Sequence, residues 1–166
     1  MSSERVSRRQ LLLGRPVARE VVARPPGVST SGLENCTGCG LCAERCPTGI
    51  IRMTDGLPFI DFASGECTFC GECKATCPEP VFGPVEIRHF PHSAVVTDRC
   101  LARNDVACQS CGESCPELAI RFRPRIGGPF TPEVCEDACS GCGACLSVCP
   151  VGAIALQSRA LEAANV

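Results

Sequence analysis

Four short runs carry the reactive groups of this 166-residue chain: CTGCGLCAERCP from Cys36, CTFCGECKATCP from Cys67, CQSCGESCP from Cys108 and CSGCGACLSVCP from Cys139. Three of them keep C-x2-C-x2-C-x3-C-P, the thiolate spacing of bacterial two-cluster 4Fe-4S proteins. Three thiolates on one tightly wound loop can each reach a different corner of one iron-sulfur cube. The fourth, three residues on, heads away and serves the cube of a partner block. Small residues in the loops, Gly38, Gly40, Gly71, Gly141 and Gly143, let the backbone curl around such a group. The proline after the fourth cysteine fixes the backbone as it turns into the next segment.

This logic assigns ligands by residue. Cys36, Cys39, Cys42 and Cys77 form set 1; Cys46, Cys67, Cys70 and Cys73 form set 2; Cys115, Cys139, Cys142 and Cys145 form set 4. Set 3 has Cys108, Cys111 and Cys149 and lacks one thiolate. Asp105 stands where a regular block has its first cysteine, and Cys100 lies five residues earlier. A loop lengthened by that much costs only a few tenths of a kcal/mol, roughly, in closure entropy. Cys100 is therefore expected to complete set 3 across a stretched, exposed loop. Four 4Fe-4S clusters then use every one of the 17 cysteines except Cys135, which is left as a spare thiol.

The rival uses of cysteine fit less well. Zinc sites close a tetrahedron from two cysteine pairs separated by a dozen or more residues. Disulfides need matched pairs of nearby Cα atoms, and an odd count argues against a full framework. The GCG pieces at Gly38 and Gly141 neither follow a strand nor open a long helix, as a nucleotide fingerprint requires, so they belong to the cluster loops. His89 and His92 read as surface or linker residues, since cysteine can fill every cluster.

The elements that must hold these loops are short. Cys36 to Cys67 and Cys108 to Cys139 are both separated by 31 residues, so the chain is two tandem pairs. GIIRM, VEIRHF, LAIRFRP and GAIAL, one after each block, read as strands bounded by Pro and Gly. LPFIDF and GGPFTPEV between blocks read as strand or turn, and the ends of the blocks leave room for a turn or two of helix. The expectation is an α+β fold of two tandem bacterial ferredoxin-like units wrapped around paired clusters. Its limits are a basic tail at 1–30, units at 31–85 and 99–157, a joint at 86–98 and a tail at 158–166. With seven Phe and no Tyr or Trp, such small units need staples beyond their apolar core, and the cysteines are those staples.

The first thirty residues carry six Arg against Glu4 and Glu20. Arg8 and Arg9 before Leu11, Leu12 and Leu13 imitate a twin-arginine export signal. Gly14, Arg15 and Pro16 stop the apolar run short of what export needs, and no run approaches a membrane span, so the chain is read as cytoplasmic. No nucleophile and base pattern is evident, and the reading is a non-enzymatic electron carrier without a nucleic-acid partner. Its formal charge of -2 becomes more negative with clusters bound, which favours a basic docking face on a partner.

The four blocks, the stretched third one with CLA at Cys100, and the cropped SRRQLLLGR segment together resemble the NapF family of ferredoxin-type proteins found with bacterial periplasmic nitrate reductases. The resemblance runs from about Ser7 to about Leu156. It implies a cytoplasmic accessory factor that contacts the molybdenum catalytic subunit of that reductase before export and supports its maturation. Residues 5–15 would then be a candidate docking segment. The alternative is an electron-transfer subunit of another cytoplasmic oxidoreductase complex.

Overall fold

The computed structural model describes residues 22–159, so the N-terminal arginine segment lies outside the described residues. Among the described residues are five four-residue helices: α1 Thr30–Leu33, α2 Leu41–Glu44, α3 Glu72–Ala75, α4 Ser110–Glu113 and α5 Ala144–Ser147. The brevity of α2 to α5 follows from the blocks, where Pro and cavity-facing cysteines stop each of these helices after one turn. Only α1 has a side-chain cap, the Ser29 hydroxyl accepting from the Gly32 amide at 3.0 Å. The other four each carry a cysteine at their second position: Cys42, Cys73, Cys111 and Cys145. α2 packs against α3 and α4 against α5, so helices from the two blocks of each half lie side by side.

Six strands among the described residues form three two-stranded antiparallel sheets. β1 Ile51–Thr54 pairs with β2 Leu57–Ile60 around a tight turn at Asp55 and Gly56, whose φ values of 50° and 75° suit a two-residue hairpin. β4 Ile120–Arg125 pairs with β5 Gly128–Val134, with an irregularity between Arg123 and Arg125 and a fully exposed Ile126 at the tip. β3 His92–Val96 pairs with β6 Ile154–Ser158. The corresponding closure of the first half is a single bridge from Val28 to Phe82.

The mixed fold of short helices and small sheets agrees with the sequence expectation, with one correction. VEIRHF does not form a strand: Val85 through His89 are exposed and join no β-ladder among the described residues. The strand begins at His92 instead, because Ala94 and Val96 have a buried surface to cover and β6 offers the free edge. One apolar core gathers Ala94, Val96, Ala119, Ile120, Ala153 and Ile154 around Cys100, Cys139 and Cys145. The other gathers Ala23, Ile50, Ile51, Ile60, Phe62 and Phe90, and takes in Leu146 and Leu156 from the second half. The two halves therefore share apolar packing.

Candidate metal centres

Each set of cysteines surrounds its own cavity. Cys36, Cys39, Cys42 and Cys77 line one, with Met53, Pro58 and Val81 behind them. Cys46, Cys67, Cys70 and Cys73 line the second, beside Ile50, Ile60 and Phe69. Cys115, Cys139, Cys142 and Cys145 line a third, against Ala94, Ile120 and Leu156. The last is lined by Cys100, Cys108, Cys111 and Cys149, with Pro132, Ala153 and Ile154. The side-by-side helices explain the exchange of the fourth cysteine. Each short helix ends by carrying its last thiol past its own loop and into the cavity of its neighbour.

Local backbone geometry places hydrogen-bond donors on several of these sulfurs. Ala119 and Ala153 donate their amides to Cys115 Sγ and Cys149 Sγ at 3.3 and 3.1 Å, four residues back along the chain. At Cys46 burial alone would raise the thiol, but hydrogen bonds from the Thr48 side chain and from the amides of Ile50, Thr48 and Ile51 together lower it. Bonds of this kind favour the thiolate over the thiol. Deeper thiols go the other way. Burial, reinforced by neighbouring cysteines, pushes Cys67, Cys73 and Cys111 up to about 11 and Cys145 up to about 12. Four crowded thiolates repel one another in a low-dielectric site, and a cationic metal core at their centre relieves that repulsion.

The cavities accept a cluster on other grounds too. The buried Ser140 hydroxyl, without a hydrogen-bond partner among the described residues, lines the cavity of set 4 beside Cys142, whose thiol burial pushes up. Such a donor suits the sulfur atoms of a bound cluster. Among the described residues no group of three His, Cys, Asp or Glu side chains is arranged for a single metal ion; the thiols ring volumes instead.

The stretched third block is folded rather than slack. Cys100 is buried, and a 3-10 turn at Ala102–Asn104 follows it, with Ala102 fully enclosed. The Asn104 side-chain amide donates to the carbonyls of Asp98 and Cys100 at 2.7 and 2.8 Å. Asp105, at the aligned ligand position, has φ 63°, is exposed and pairs with Arg125, away from the cavity lining. The expectation of an exposed loop holds for Arg103 through Ala107 and fails for Cys100 and Ala102. Cys135 is exposed and lines none of the four cavities.

His92 departs most from expectation. His89 is exposed, but His92 is only 1% exposed and stacks on Phe90 with ring centroids 4.9 Å apart. Its Nε2 lies 3.0 Å from the Gly141 carbonyl, which can only accept, so the ring must carry its proton there. Burial pushes its pKa down and keeps the ring neutral. A sequence signal for this burial was present in the apolar run SAVV that follows, whose alternation places His92, Ala94 and Val96 on one face.

Residues 35–82 match the family described as 4Fe-4S dicluster domain, and residues 106–153 match a second family of the same description. The ferredoxin-type protein NapF of Escherichia coli strain K12 is 38% identical over 154 residues, covering 91% of this chain and 94% of that protein. Its counterpart in Haemophilus influenzae is 39% identical over 170 residues, covering 95% and 97%. A component of an ion-translocating oxidoreductase complex from Methanosarcina acetivorans is 34% identical over 128 residues, 74% of this chain and 47% of that component. With two dicluster domains and cysteines to fill both, the chain is an iron-sulfur protein of four 4Fe-4S clusters and belongs to the NapF family of ferredoxin-type proteins.

Proposed function

We propose that this chain is a cytoplasmic, non-enzymatic electron carrier that serves as an accessory and maturation factor for the molybdenum catalytic subunit of a periplasmic nitrate reductase, before that subunit is exported. The observation that carries the reading is similarity to NapF proteins along nearly the full length of both chains. In support, no helix among the described residues is long and apolar enough to cross a membrane.

Within this reading sets 1 to 4 are the ligands, and each bound cluster supplies reversible one-electron transfer. The chain's residues hold the thiolates at fixed spacing, bury them to different depths, and place amide and hydroxyl donors on their sulfurs. Cys100 completes set 3: Cys100→Ser lowers the iron of anaerobically purified protein from about sixteen to about twelve per chain, while Cys135→Ser leaves it unchanged. Iron that stays near sixteen in Cys100→Ser removes Cys100 from the set.

The partner is tested by capture. Tagged full-length protein should retain the unexported reductase subunit from anaerobic cell extract, and deletion of Met1 to Arg15 should abolish that capture if residues 5–15 dock. Unchanged capture removes the segment from the interaction. The similarity to a component of an oxidoreductase complex favours the second reading, an electron-transfer subunit of another cytoplasmic complex. Neighbouring genes for a molybdenum nitrate reductase support the first reading, and those for a hydrogenase or formate dehydrogenase the second.

A further inference from the structure

The loop from Cys139 to Cys142 is held from outside by four successive donors. Arg159 donates to the Cys139 carbonyl, the Phe90 amide to Ser140 at 2.9 Å, His92 Nε2 to Gly141 at 3.0 Å, and the Cys67 amide to Cys142 at 2.8 Å. Among the described residues, no carbonyl from Cys36 to Cys39 or from Cys67 to Cys70 accepts a hydrogen bond. A trans peptide sends the next amide to the side opposite its carbonyl. Holding these carbonyls outward therefore turns the amides of Ser140 through Gly143 toward the cavity that the same residues line. Of the four donors, His92 alone is a buried side chain from the segment joining the halves.

The last donor belongs to set 2. The Cys67 amide reaches across to the Cys142 carbonyl, and each of these residues contributes a thiol to its own cavity. Phe62 lies against Phe90 and His92, with centroids 5.8 Å from each ring, and Phe69, from the set 2 loop, lies 5.3 Å from Phe90. Phe69 adopts φ 53°, a left-handed backbone that disfavours a bulky residue. The other two regular blocks have Gly38 and Gly141 at that position.

The geometry points to His92 as a positioning residue of the iron-sulfur site: its Nε2–H fixes the Gly141 carbonyl, so that the Cys139–Cys142 loop presents its amides to the cluster of set 4 at the junction with set 2. Sets 2 and 4 are then the inner pair of the molecule, with sets 1 and 3 on its two flanks. The inference rests on the ligand sets proposed above. Amides turned toward a cluster favour its more negative, reduced state, so losing their alignment lowers the reduction potential.

The test is a redox titration of the full-length, cluster-loaded protein followed by electron paramagnetic resonance. His92→Phe keeps the ring and removes the donor; His92→Gln keeps a donor. Expected are unchanged iron in His92→Phe, a lowered potential at one centre only, and a return toward the native potential in His92→Gln. Native potentials in His92→Phe, equal shifts at all centres, or iron lost from both variants overturn the proposal. Should His92→Phe not accumulate, His92→Gln carries the test: native potentials support it and a lowered one overturns it. Iron analysis of Cys142→Ser addresses the ligand assignment separately, since retention of about sixteen irons removes set 4 as drawn and leaves the native protein's titration untouched.

Discussion

The loops Cys36–Cys42 and Cys139–Cys145 share their cysteine spacing, their two left-handed glycines and the one-turn helix that follows, yet they lie in opposite surroundings. In the first, Cys39 is exposed and its neighbours are only half-buried. In the second, Cys139, Cys142 and Cys145 are 8–9% exposed and covered by Phe62, Phe90 and His92. The glycines show the difference most sharply. Gly40 and Gly143 occupy the same motif position with φ 79° and 86°, but a Cβ at Gly40 meets nothing within 4 Å, whereas one at Gly143 overlaps the Phe62 ring. The motif thus places the thiols around a cavity, and residues far along the chain decide how that cavity is enclosed.

The largest effect should be common to both loops. Cys39→Ser and Cys142→Ser are each expected to lower iron from about sixteen to about twelve per chain, because equal ligand roles lose equal clusters. Unequal losses in iron analysis would break the equivalence on which the comparison stands. The next effect should separate them. Gly40→Ala is expected to cost the left-handed penalty of about 1–2 kcal/mol. Gly143→Ala adds about 1–3 kcal/mol for overpacking against Phe62. Anaerobic thermal denaturation that gives the two variants the same loss contradicts an enclosed fourth loop. The smallest effect extends the contrast to the stretched block: Asn104→Ala removes two hydrogen bonds and should lose about 1–2 kcal/mol, read by denaturant titration. No loss there would mean that the longer loop is as unrestrained as its length implies.

Much of the site was legible because a thiolate set has a short, rigid signature. Spacing grouped fifteen cysteines into sets, the need for a fourth thiolate in set 3 added Cys100, and these groups line the four cavities. The hairpins at Ile51–Ile60 and Ile120–Val134 were legible for a similar reason, since their partners are neighbours in sequence. What stayed hidden is long-range. VEIRHF has the composition of a strand but no edge to join, while His92–Val96 gains its strand character from Ile154–Ser158, far along the chain. Likewise no local pattern announces that the amide of Cys67 will find the carbonyl of Cys142. Sequence periodicity reports what a segment can do beside its neighbours. Pairings between distant segments depend on shapes that exist only once both have folded.

The pairing of β3 with β6 also sets an order of events during synthesis. The first half has its closing contact once Phe82 has left the ribosome, because Val28 is already waiting for it. The second half cannot close until Ser158 emerges to meet His92. At about 5–20 residues per second, that leaves an interval on the order of several seconds during translation when the first half can complete its sites and the second cannot. Cys139, Cys142 and Cys145 emerge only near the end of that interval and stay uncovered until β6 follows them. Until then their thiols stand open to iron and sulfide, and afterwards Phe62, Phe90 and His92 cover the loop that carries them.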